Sequence, residues 1–484
     1  MSTRTKLKPF ALLLMTFTAV FAFNTIINNS ISIGLASIPS FLFATMFYFL
    51  PFALMIGEFS SANDDRESGI HSWIESSLGP KWAFLGAFSY FFVNLFYFVS
   101  VIPQALIYAS YAFTGHNVFE GNNATLYISL ISIAIFWGST FISTKGVGWI
   151  SKVTNISGMA RLFIGLIFIL LAFGAVLIFK QPVAQEFTMQ NLTPKFDWIY
   201  FSTFAWILMA VGGAESIGVY IKNVEGGNRV FVRTMIWASL FIGVIYSLGC
   251  IAVGLIVPSE MLQNNYSTGL FDAFIILGQV YGFAEYAPYI VGLVMLLATL
   301  GSIVLWTAAP VKVLFSEIPK QIFGEKVSKT DENGNPVNAL LLQAVIVTIL
   351  LLIPGMGIGS IDTFLRILIN MTAATSLLPV LFFIIAYIAL RYKKDDMPRS
   401  FKLGSRNTGL AIGVMLLALF IVAFVIASIP EPALLMNYFA GKPLPDGEAN
   451  PVFTLLYNVL GVVVFMGFAW ICWNRYEKNT LKKD

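Results

Sequence analysis

The chain has 484 residues, of which 57% are hydrophobic and only 11% are charged. Soluble domains carry about 25% charged residues, so this composition excludes an ordinary soluble protein. The net charge of +4 comes from basic residues that are scattered over many loops rather than gathered with aromatic residues on one face, which argues against a nucleic-acid partner.

Apolar runs recur along the whole chain, and each is long enough to cross a hydrocarbon core about 30 Å thick. They predict an all-α polytopic membrane protein of about twelve transmembrane helices, forming one domain over residues 1–484. The predicted spans cover residues 10–35, 39–61, 83–114, 124–142, 147–179, 198–221, 231–257, 281–315, 338–355, 361–390, 408–429 and 452–474. Residues 69–78 are too few to span and predict a short helix at the cytoplasmic face.

The distribution of Lys and Arg predicts the orientation in the membrane. If both termini are cytoplasmic, 24 of the 29 basic residues lie on the cytoplasmic side, three lie outside, and Arg161 and Arg366 lie within spans. Cytoplasmic segments carry such an excess of basic residues. We therefore expect a multi-pass protein of the plasma membrane with both termini in the cytoplasm.

Several motifs that would indicate other functions are absent from the sequence. There is no GxxxxGK[ST] loop for ATP, no HExxH and no GxSxG. The two cysteines lack CxxC spacing, so neither a cofactor nor a metal is expected. An integral-membrane enzyme and a non-transporting sensor remain alternatives from other classes. The first needs a clustered catalytic constellation and the second a signalling domain, and the sequence shows neither.

Two predicted spans are interrupted by residues that disfavour a continuous apolar helix. The first, at 10–35, is interrupted by Asn24, Asn28, Asn29 and Ser30, and the second, at 198–221, by residues 212–216. Peptide groups freed inside lipid are costly, so a break survives only where it lines a cavity or coordinates a ligand. Paired breaks in two halves of a chain indicate the substrate site of a transporter.

Charged side chains inside the spans are the next indication of function, because they face a cavity or a partner. Glu215 lies in the second break, where it either staples the unwound segment or takes part in gating, proton coupling or contact with a substrate amine. Glu58, near the cytoplasmic end of its span, is predicted to pair with inner-loop cations. Arg161 lies well inside the fifth span, and Trp306 in the eighth is a candidate for the cavity wall.

Two facing breaks together make a receptor for a zwitterion. The N-terminal end of one half-helix presents N–H donors to a carboxylate, and the C-terminal end of another presents carbonyls to an ammonium group. The substrate class that fits is an amino acid or an amine derived from one.

The chain resembles the amino acid–polyamine–organocation (APC) superfamily, and within it the glutamate/GABA antiporter-like branch of amino-acid permeases. The motifs that carry the resemblance are Ile38-Pro39, PFALMIGE at 51–58, ESGIHSW at 67–73, LGP at 78–80, GGAES at 212–216 and Ala309-Pro310. The resemblance implies a five-plus-five inverted repeat (LeuT-like) with helices 1 and 6 broken and two extra helices. The repeats would cover about 10–179 and about 198–390, and the extra helices about 408–474. It also implies secondary transport of amino acids or their decarboxylation products, often by exchange.

The sequence departs from this family pattern at several places, one of them Gly226-Gly227, which replaces the common Asn-Pro after the sixth span. Many relatives have a Gly-Ser-Gly type of first break, where this chain has residues 24–29, rich in asparagine. Many have an aromatic gate six residues before the Glu of the sixth span, where this chain has Met209. In several relatives a Lys six residues after an Asn of the fifth span lies where sodium-coupled members bind Na⁺, and by that spacing the position is Arg161 here.

These observations predict a secondary active amino-acid transporter that works by alternating access, with antiport favoured. A proton-coupled amino-acid or polyamine symporter is the alternative within the same class. The expected partners are a small amino-acid or amine substrate and the lipid bilayer, and the sequence does not indicate an oligomeric state. Gating or coupling is expected from Glu215 and Arg161. The predicted substrate-binding residues are Asn24, Thr25, Asn28, Asn29, Met209, Gly212, Gly213, Ala214, Glu215 and Trp306.

Overall fold

A computed structural model describes residues 6–63, 69–119, 124–262, 268–315, 318–331, 334–352, 361–444 and 450–480. Throughout these ranges the regular secondary structure is helical, apart from an isolated bridge between Leu7 and Val224. The protein is therefore an all-α polytopic membrane protein, as its composition predicts.

The helices follow the apolar runs of the sequence. The first half contains α1 (Pro9–Val20), α2 (Phe23–Ile33), α3 (Ser37–Ala44), α4 (Leu50–Ala62), α5 (Ile70–Leu78), α6 (Pro80–Thr114), α7 (Ala124–Thr144), α8 (Val147–Leu177) and α9 (Met189–Leu192). The second half contains α10 (Trp198–Ala210), α11 (Gly227–Ile256), α12 (Ser259–Leu262), α13 (Gly269–Tyr281), α14 (Ala287–Phe315), α15 (Val337–Leu352), α16 (Ile361–Lys393), α17 (Arg406–Ser428), α18 (Pro432–Phe439) and α19 (Pro451–Thr480). Short 3₁₀ segments cover Gly34–Ala36 and Ala214–Asn223, and a π-helical turn covers Thr45–Phe49.

All twelve predicted spans coincide with helices, as far as the chain is described. Nine helical stretches in the described ranges are long and apolar enough to cross a membrane, and the first, Pro9–Ala62, contains the first two predicted spans. The predicted short helix after the second span is α5. The eighth span begins later than predicted, at Ala287, because α13 precedes it as a separate helix. Arg366 lies in α16, but its side chain is outside the description.

The predicted position of the first break is wrong. The helix ends at Val20 and starts again at Phe23, so the break consists of Phe21 and Ala22 and precedes the asparagines. Asn24, Asn28 and Asn29 lie within α2. Asn29 is compatible with a helix because its amide Nδ2 donates to the carbonyl of Thr25 one turn earlier, at 2.7 Å.

The predicted position of the second break is confirmed. Helix α10 ends at Ala210, and the chain resumes as the 3₁₀ segment Ala214–Asn223. Gly213 has a φ of +101°, a left-handed conformation that side chains with a Cβ rarely adopt. The glycine pair therefore ends the helix by its own backbone preference.

The prediction for Glu58 is confirmed. Its Oε1 lies 2.7 Å from Nη1 of Arg391 and 2.9 Å from Nε of Arg399, both basic residues of the region after the tenth span. Its Oε2 accepts from the Tyr387 hydroxyl at 2.7 Å and from the N–H of Leu403 at 3.0 Å. This buried carboxylate therefore joins the end of α4 to the end of α16 and the loop that follows.

The two ends of the described chain lie on one face of the molecule. The N–H of Leu7 donates to the carbonyl of Asn223 at 2.6 Å, and the carbonyl of Leu7 accepts from Glu225 at 2.8 Å. Close by, Trp73 of α5 packs directly against Gly218, where an added Cβ would overlap the indole. Lys81, just after α5, lies 3.5 Å from the side-chain oxygen of Asn474 in α19. We call this surface the terminal face.

Candidate substrate site

A cavity of about 270 Å³ lies where the two helix breaks meet. Residues of α1, α2, α6, α8, α10, α14, α16 and α17 line it, together with Tyr48 of the π-helical turn. Ala214 does not line it and is buried. The other predicted substrate residues all line it, together with Arg161: Asn24, Thr25, Asn28, Asn29, Met209, Gly212, Gly213, Glu215 and Trp306.

Tyr246 of α11 joins the two breaks through its hydroxyl. The hydroxyl accepts a hydrogen bond from the N–H of Ala22 at 3.0 Å. It donates its one proton to the carbonyl of Val20 at 3.1 Å or to the carbonyl of Ala210 at 3.4 Å. Val20 and Ala22 flank the first break and Ala210 ends the helix before the second. One side chain therefore satisfies the N–H of Ala22 and, at any moment, one of the two carbonyls that the breaks leave without helical partners.

Helix α2 begins beside the cavity and supplies donors to it. The first N–H groups of an α-helix have no acceptor within the helix. The N–H of Thr25 is satisfied by the carbonyl of Ala22 at 3.0 Å. The N–H groups of Phe23 and Asn24 are the remaining donors at this end. Such a helix start favours an anion such as a substrate carboxylate.

Glu215 is held by the second break. Its Oε2 accepts the N–H of Gly213 at 3.0 Å, and the carbonyl of Gly213 accepts from the Ser216 hydroxyl at 2.6 Å. The side chain is only 5% exposed, yet it lines the cavity. No Lys or Arg of the described residues forms an ion pair with it. A carboxylate in this position can meet a substrate ammonium group or a proton.

Arg161 places a fixed cation next to the first break. Its Nη2 donates to the Ser302 hydroxyl at 2.5 Å and to the carbonyl of Ala298 at 3.3 Å, both in α14. The Ser302 hydroxyl in turn donates to the carbonyl of Thr18 in α1, at 2.8 Å. The guanidinium therefore connects α8 to α14 and to the last turn of α1. It cannot release its proton under ordinary conditions, so the charge is permanent.

Aromatic side chains form much of the remaining wall. Met209 lines the cavity at the position where an aromatic gate is expected, and Trp206 lines it one helical turn earlier. Trp306 packs between two tyrosines of α6, with ring centroids 6.0 Å from Tyr90 and 5.8 Å from Tyr97. The wall thus keeps aromatic character although position 209 is a methionine.

Sequence reasoning missed the contribution of α6. The cavity residues of this helix include Tyr90, Asn94, Tyr97, Val101, Gln104 and Tyr108. They follow one another at intervals of three or four, which is one face of a helix. Polar residues repeated at that spacing in an otherwise apolar span were a readable signal for a cavity wall. The contributions of Thr299 and Ser302 from α14 were also missed.

The two glycines of the second break have different roles. Gly213 requires its left-handed backbone, and a Cβ there would lie 3.1 Å from the indole of Trp306. Gly212 has no such φ, and a Cβ there would meet the Tyr48 hydroxyl and the Met209 carbonyl at 3.2 Å. Gly213 is therefore needed for the fold of the break, whereas Gly212 keeps space beside the cavity.

Nothing in the described ranges resembles a metal centre, since no three His, Cys, Asp or Glu residues cluster there. A broken-helix cavity of this kind, inside an all-helical membrane protein, defines a class of secondary transporters. The chain belongs to the amino acid permease family, whose model matches residues 7–472. The protein is therefore an amino-acid transporter and not an enzyme.

The chain is similar to several named transporters over most of their length. The chain is 26% identical over 470 residues to the aspartate/glutamate permease AcaP of Lactococcus lactis subsp. cremoris, covering 95% of this chain and 93% of the relative. It is 25% identical over 506 residues to the inner membrane transporter YjeM of Escherichia coli, covering 99% of this chain and 97% of the relative. It is 24% identical over 400 residues to a glutamate/gamma-aminobutyrate antiporter of Lactococcus lactis subsp. lactis, covering 81% of this chain and 78% of the relative.

Proposed function

We propose that the protein exchanges amino acids across the plasma membrane by alternating access, with both termini in the cytoplasm. The observation that carries the proposal is the cavity in which both helix breaks, Glu215 and Arg161 come together. The orientation is supported by the excess of Lys and Arg on one side of the spans. The order of the helices supports two repeats, at about 10–179 and about 198–390, followed by two extra helices.

The substrate binds as a zwitterion in this proposal. Its carboxylate accepts the N–H groups at the start of α2, contributed by Phe23 and Asn24. Its ammonium group faces the carbonyl end of α10 and the carboxylate of Glu215. The substrate side chain then extends along the polar stripe of α6 towards Gln104 and Tyr108. Asn28 and Asn29, one turn further along α2, complete this wall.

The names of two relatives suggest which amino acids to test first. One is called an aspartate/glutamate permease and another a glutamate/gamma-aminobutyrate antiporter. The cavity of this chain has one permanent cation, Arg161, among its described lining residues. Aspartate, glutamate and gamma-aminobutyrate are therefore the first candidates, and exchange is the favoured mode.

Counterflow in proteoliposomes tests the proposal. Liposomes loaded with one unlabelled amino acid at millimolar concentration should accumulate labelled amino acid from outside, whereas liposomes with an empty lumen should not. A panel that includes neutral and basic amino acids identifies the substrate. Liposomes without protein provide the background.

Two results would contradict exchange. Uptake into an empty lumen that is driven by an inward proton gradient, and is unaffected by internal amino acid, would establish proton symport instead. Proton symport is the second candidate because Glu215 places in the cavity a carboxylate that has no ionic partner among the described residues. Binding of amino acids without any flux would show that the protein is a sensor.

A further inference from the structure

A second cavity, of about 370 Å³, opens at the terminal face, away from the substrate site. It lies between the first turns of α11 and the loop that follows α16. Its lining residues are Asn228, Arg229, Val232, Arg233, Ile236, Trp237, Ser400 and Phe401. No acidic side chain is among these lining residues, so the pocket has a strongly positive charge. We call it the arginine pocket.

Two arginines give the pocket its charge. Arg229 and Arg233 are one turn apart on α11, and both are exposed. Neither forms an ion pair or a hydrogen bond with any residue in the described part of the chain. This contrasts with the nearby Arg391 and Arg399, whose guanidinium groups are neutralised by Glu58. Two guanidiniums one helical turn apart, without a partner in the described ranges, can both donate to one phosphate group.

Polar groups at the floor of the pocket are suited to an anion as well. The Ser60 hydroxyl contacts Oδ1 of Asn228. This leaves Nδ2 of Asn228 buried without an acceptor among the described residues. An amide donor in that state is costly unless a ligand accepts from it. The Ser400 side chain lies on the opposite wall.

The outer edge of the pocket continues into a lipid-facing surface. Trp237, one turn beyond Arg233, is 59% exposed, and Phe241 and Val244 continue the same side of α11 at 41% and 49%. Exposed apolar side chains in a spanning helix face the acyl chains of the bilayer. Tryptophan in this position is typical of the interface between headgroups and hydrocarbon. A ligand with a phosphate in the pocket can therefore place acyl chains along this side of α11.

We propose that the arginine pocket binds the headgroup phosphate of an anionic phospholipid in the leaflet at the terminal face. The phosphate accepts from Arg229, Arg233 and Nδ2 of Asn228, and the acyl chains pack on Trp237 and Phe241. Basic pockets between helices at the cytoplasmic side are suited to anionic lipids. The continuous apolar surface favours a lipid over free phosphate. The site does not depend on which amino acid the protein carries.

The pocket also joins parts of the chain that are far apart in sequence. Phe401, in one wall, donates its N–H to the Ser61 hydroxyl at 3.2 Å, and Ser61 lies at the end of α4. Asn228, in the other wall, contacts Ser60 of the same helix end. A lipid in the pocket therefore contacts α11 and the loop after α16 together. Because the lipid binds the arrangement in which α11 and this loop lie side by side, its binding stabilises that arrangement.

Native mass spectrometry of the purified protein in detergent tests the site. The probes are dioleoylphosphatidylglycerol and, as a neutral comparison, dioleoylphosphatidylcholine. We expect the wild type to retain phosphatidylglycerol in preference. Arg229→Gln combined with Arg233→Gln should weaken the apparent affinity for phosphatidylglycerol roughly 30-fold. Each of the two arginines near the anionic lipid contributes a similar factor to that affinity. The affinity for phosphatidylcholine should change little.

The matched control is Arg475→Gln with Lys478→Gln, which removes the same charge from exposed positions at the end of α19. It should leave the affinity within about twofold of the wild type, since these residues are outside the pocket. In the wild type itself, added salt should release phosphatidylglycerol. This last measurement needs no variant to fold.

Three outcomes would overturn the proposal. The first is phosphatidylglycerol binding that the pocket variant retains at wild-type strength. The second is an equal loss in the pocket variant and the control, which would show attraction to the whole basic face. The third is displacement of the lipid by millimolar inorganic phosphate, which would make this a site for free phosphate.

Discussion

Two carboxylates lie buried among the helices, and their surroundings separate their roles. Glu58 is paired with two arginines and accepts two further hydrogen bonds. Glu215 accepts the N–H of Gly213 and lines the cavity without an ionic partner in the described residues. A buried charge whose bonds are all satisfied by protein contributes to structure, whereas one that faces a cavity is available to a substrate or a proton.

The substitution Glu215→Gln tests the functional role of this carboxylate. Glutamine keeps an oxygen that can accept from Gly213, so the break should keep its fold. The loss in stability should be about 1 kcal/mol, the difference between a charged and a neutral hydrogen bond. We expect amino-acid uptake in proteoliposomes to fall at least about tenfold, or its dependence on pH to flatten between roughly pH 5 and 8, where a perturbed carboxylate titrates.

Folding and transport must be measured on the same preparation. A monodisperse peak in size-exclusion chromatography establishes the fold of the variant. Normal uptake across the whole pH range would exclude both coupling and contact with the substrate amine. A variant that only aggregates would assign Glu215 a structural role, as for Glu58.

At the scale of the helix, the two breaks have different physical origins. Gly212 and Gly213 end α10 because glycine readily leaves the helical conformation. The break at Phe21 and Ala22 contains no residue that ends helices by itself. It is supported by tertiary partners: the Tyr246 hydroxyl at both sides of the break, and the Ser302 hydroxyl on the carbonyl of Thr18.

The substitution Tyr246→Phe should show how much the Tyr246 hydroxyl contributes to the stability of the protein. It removes one hydroxyl but keeps the ring, which stacks on Phe41 with centroids 4.7 Å apart. The N–H of Ala22, which is half-buried beside the cavity, would lose its acceptor. The expected cost is about 1–3 kcal/mol of folding free energy. Thermal unfolding of the purified protein, followed by tryptophan fluorescence, measures it as a lower midpoint.

The matched control is Tyr220→Phe. Tyr220 is also buried, but its hydroxyl has no partner among the described residues. Its removal should leave the unfolding midpoint unchanged or raise it, because an unsatisfied polar group disappears. If both variants unfold at the same temperature as the wild type, the hydroxyl of Tyr246 does not support the breaks.

This difference explains how far the sequence predicted the site. Apolar runs located the helices, and the glycine pair located the second break, because both effects are local. The first break was placed at the asparagines, several residues too late, because its cause lies in Tyr246, more than two hundred residues away. The predicted asparagines nevertheless line the cavity, since α2 carries them from the break along its wall.

At the scale of the whole molecule, the described contacts close the terminal face. Leu7 is hydrogen-bonded to the chain at Asn223 and Glu225, and Trp73 covers Gly218. The cavity extends instead along α2 and towards Tyr108 in the later part of α6, away from this face. Alternating access requires the contacts at the terminal face to separate. In the described ranges these contacts include two backbone hydrogen bonds at Leu7 and the packing of Trp73 on Gly218.

Coupling to ions is also a property of the whole molecule, and it gives the last prediction. The guanidinium of Arg161 ties α8 to Ala298 and Ser302 of α14, and Ser302 reaches Thr18 of α1. The family resemblance implies that this guanidinium lies where sodium-coupled members bind Na⁺, and a second cation beside a permanent charge would be repelled. We expect transport to be independent of Na⁺. Replacing external sodium with choline, at a clamped membrane potential, should leave the initial rate of uptake unchanged. A steep fall would contradict the role assigned to Arg161.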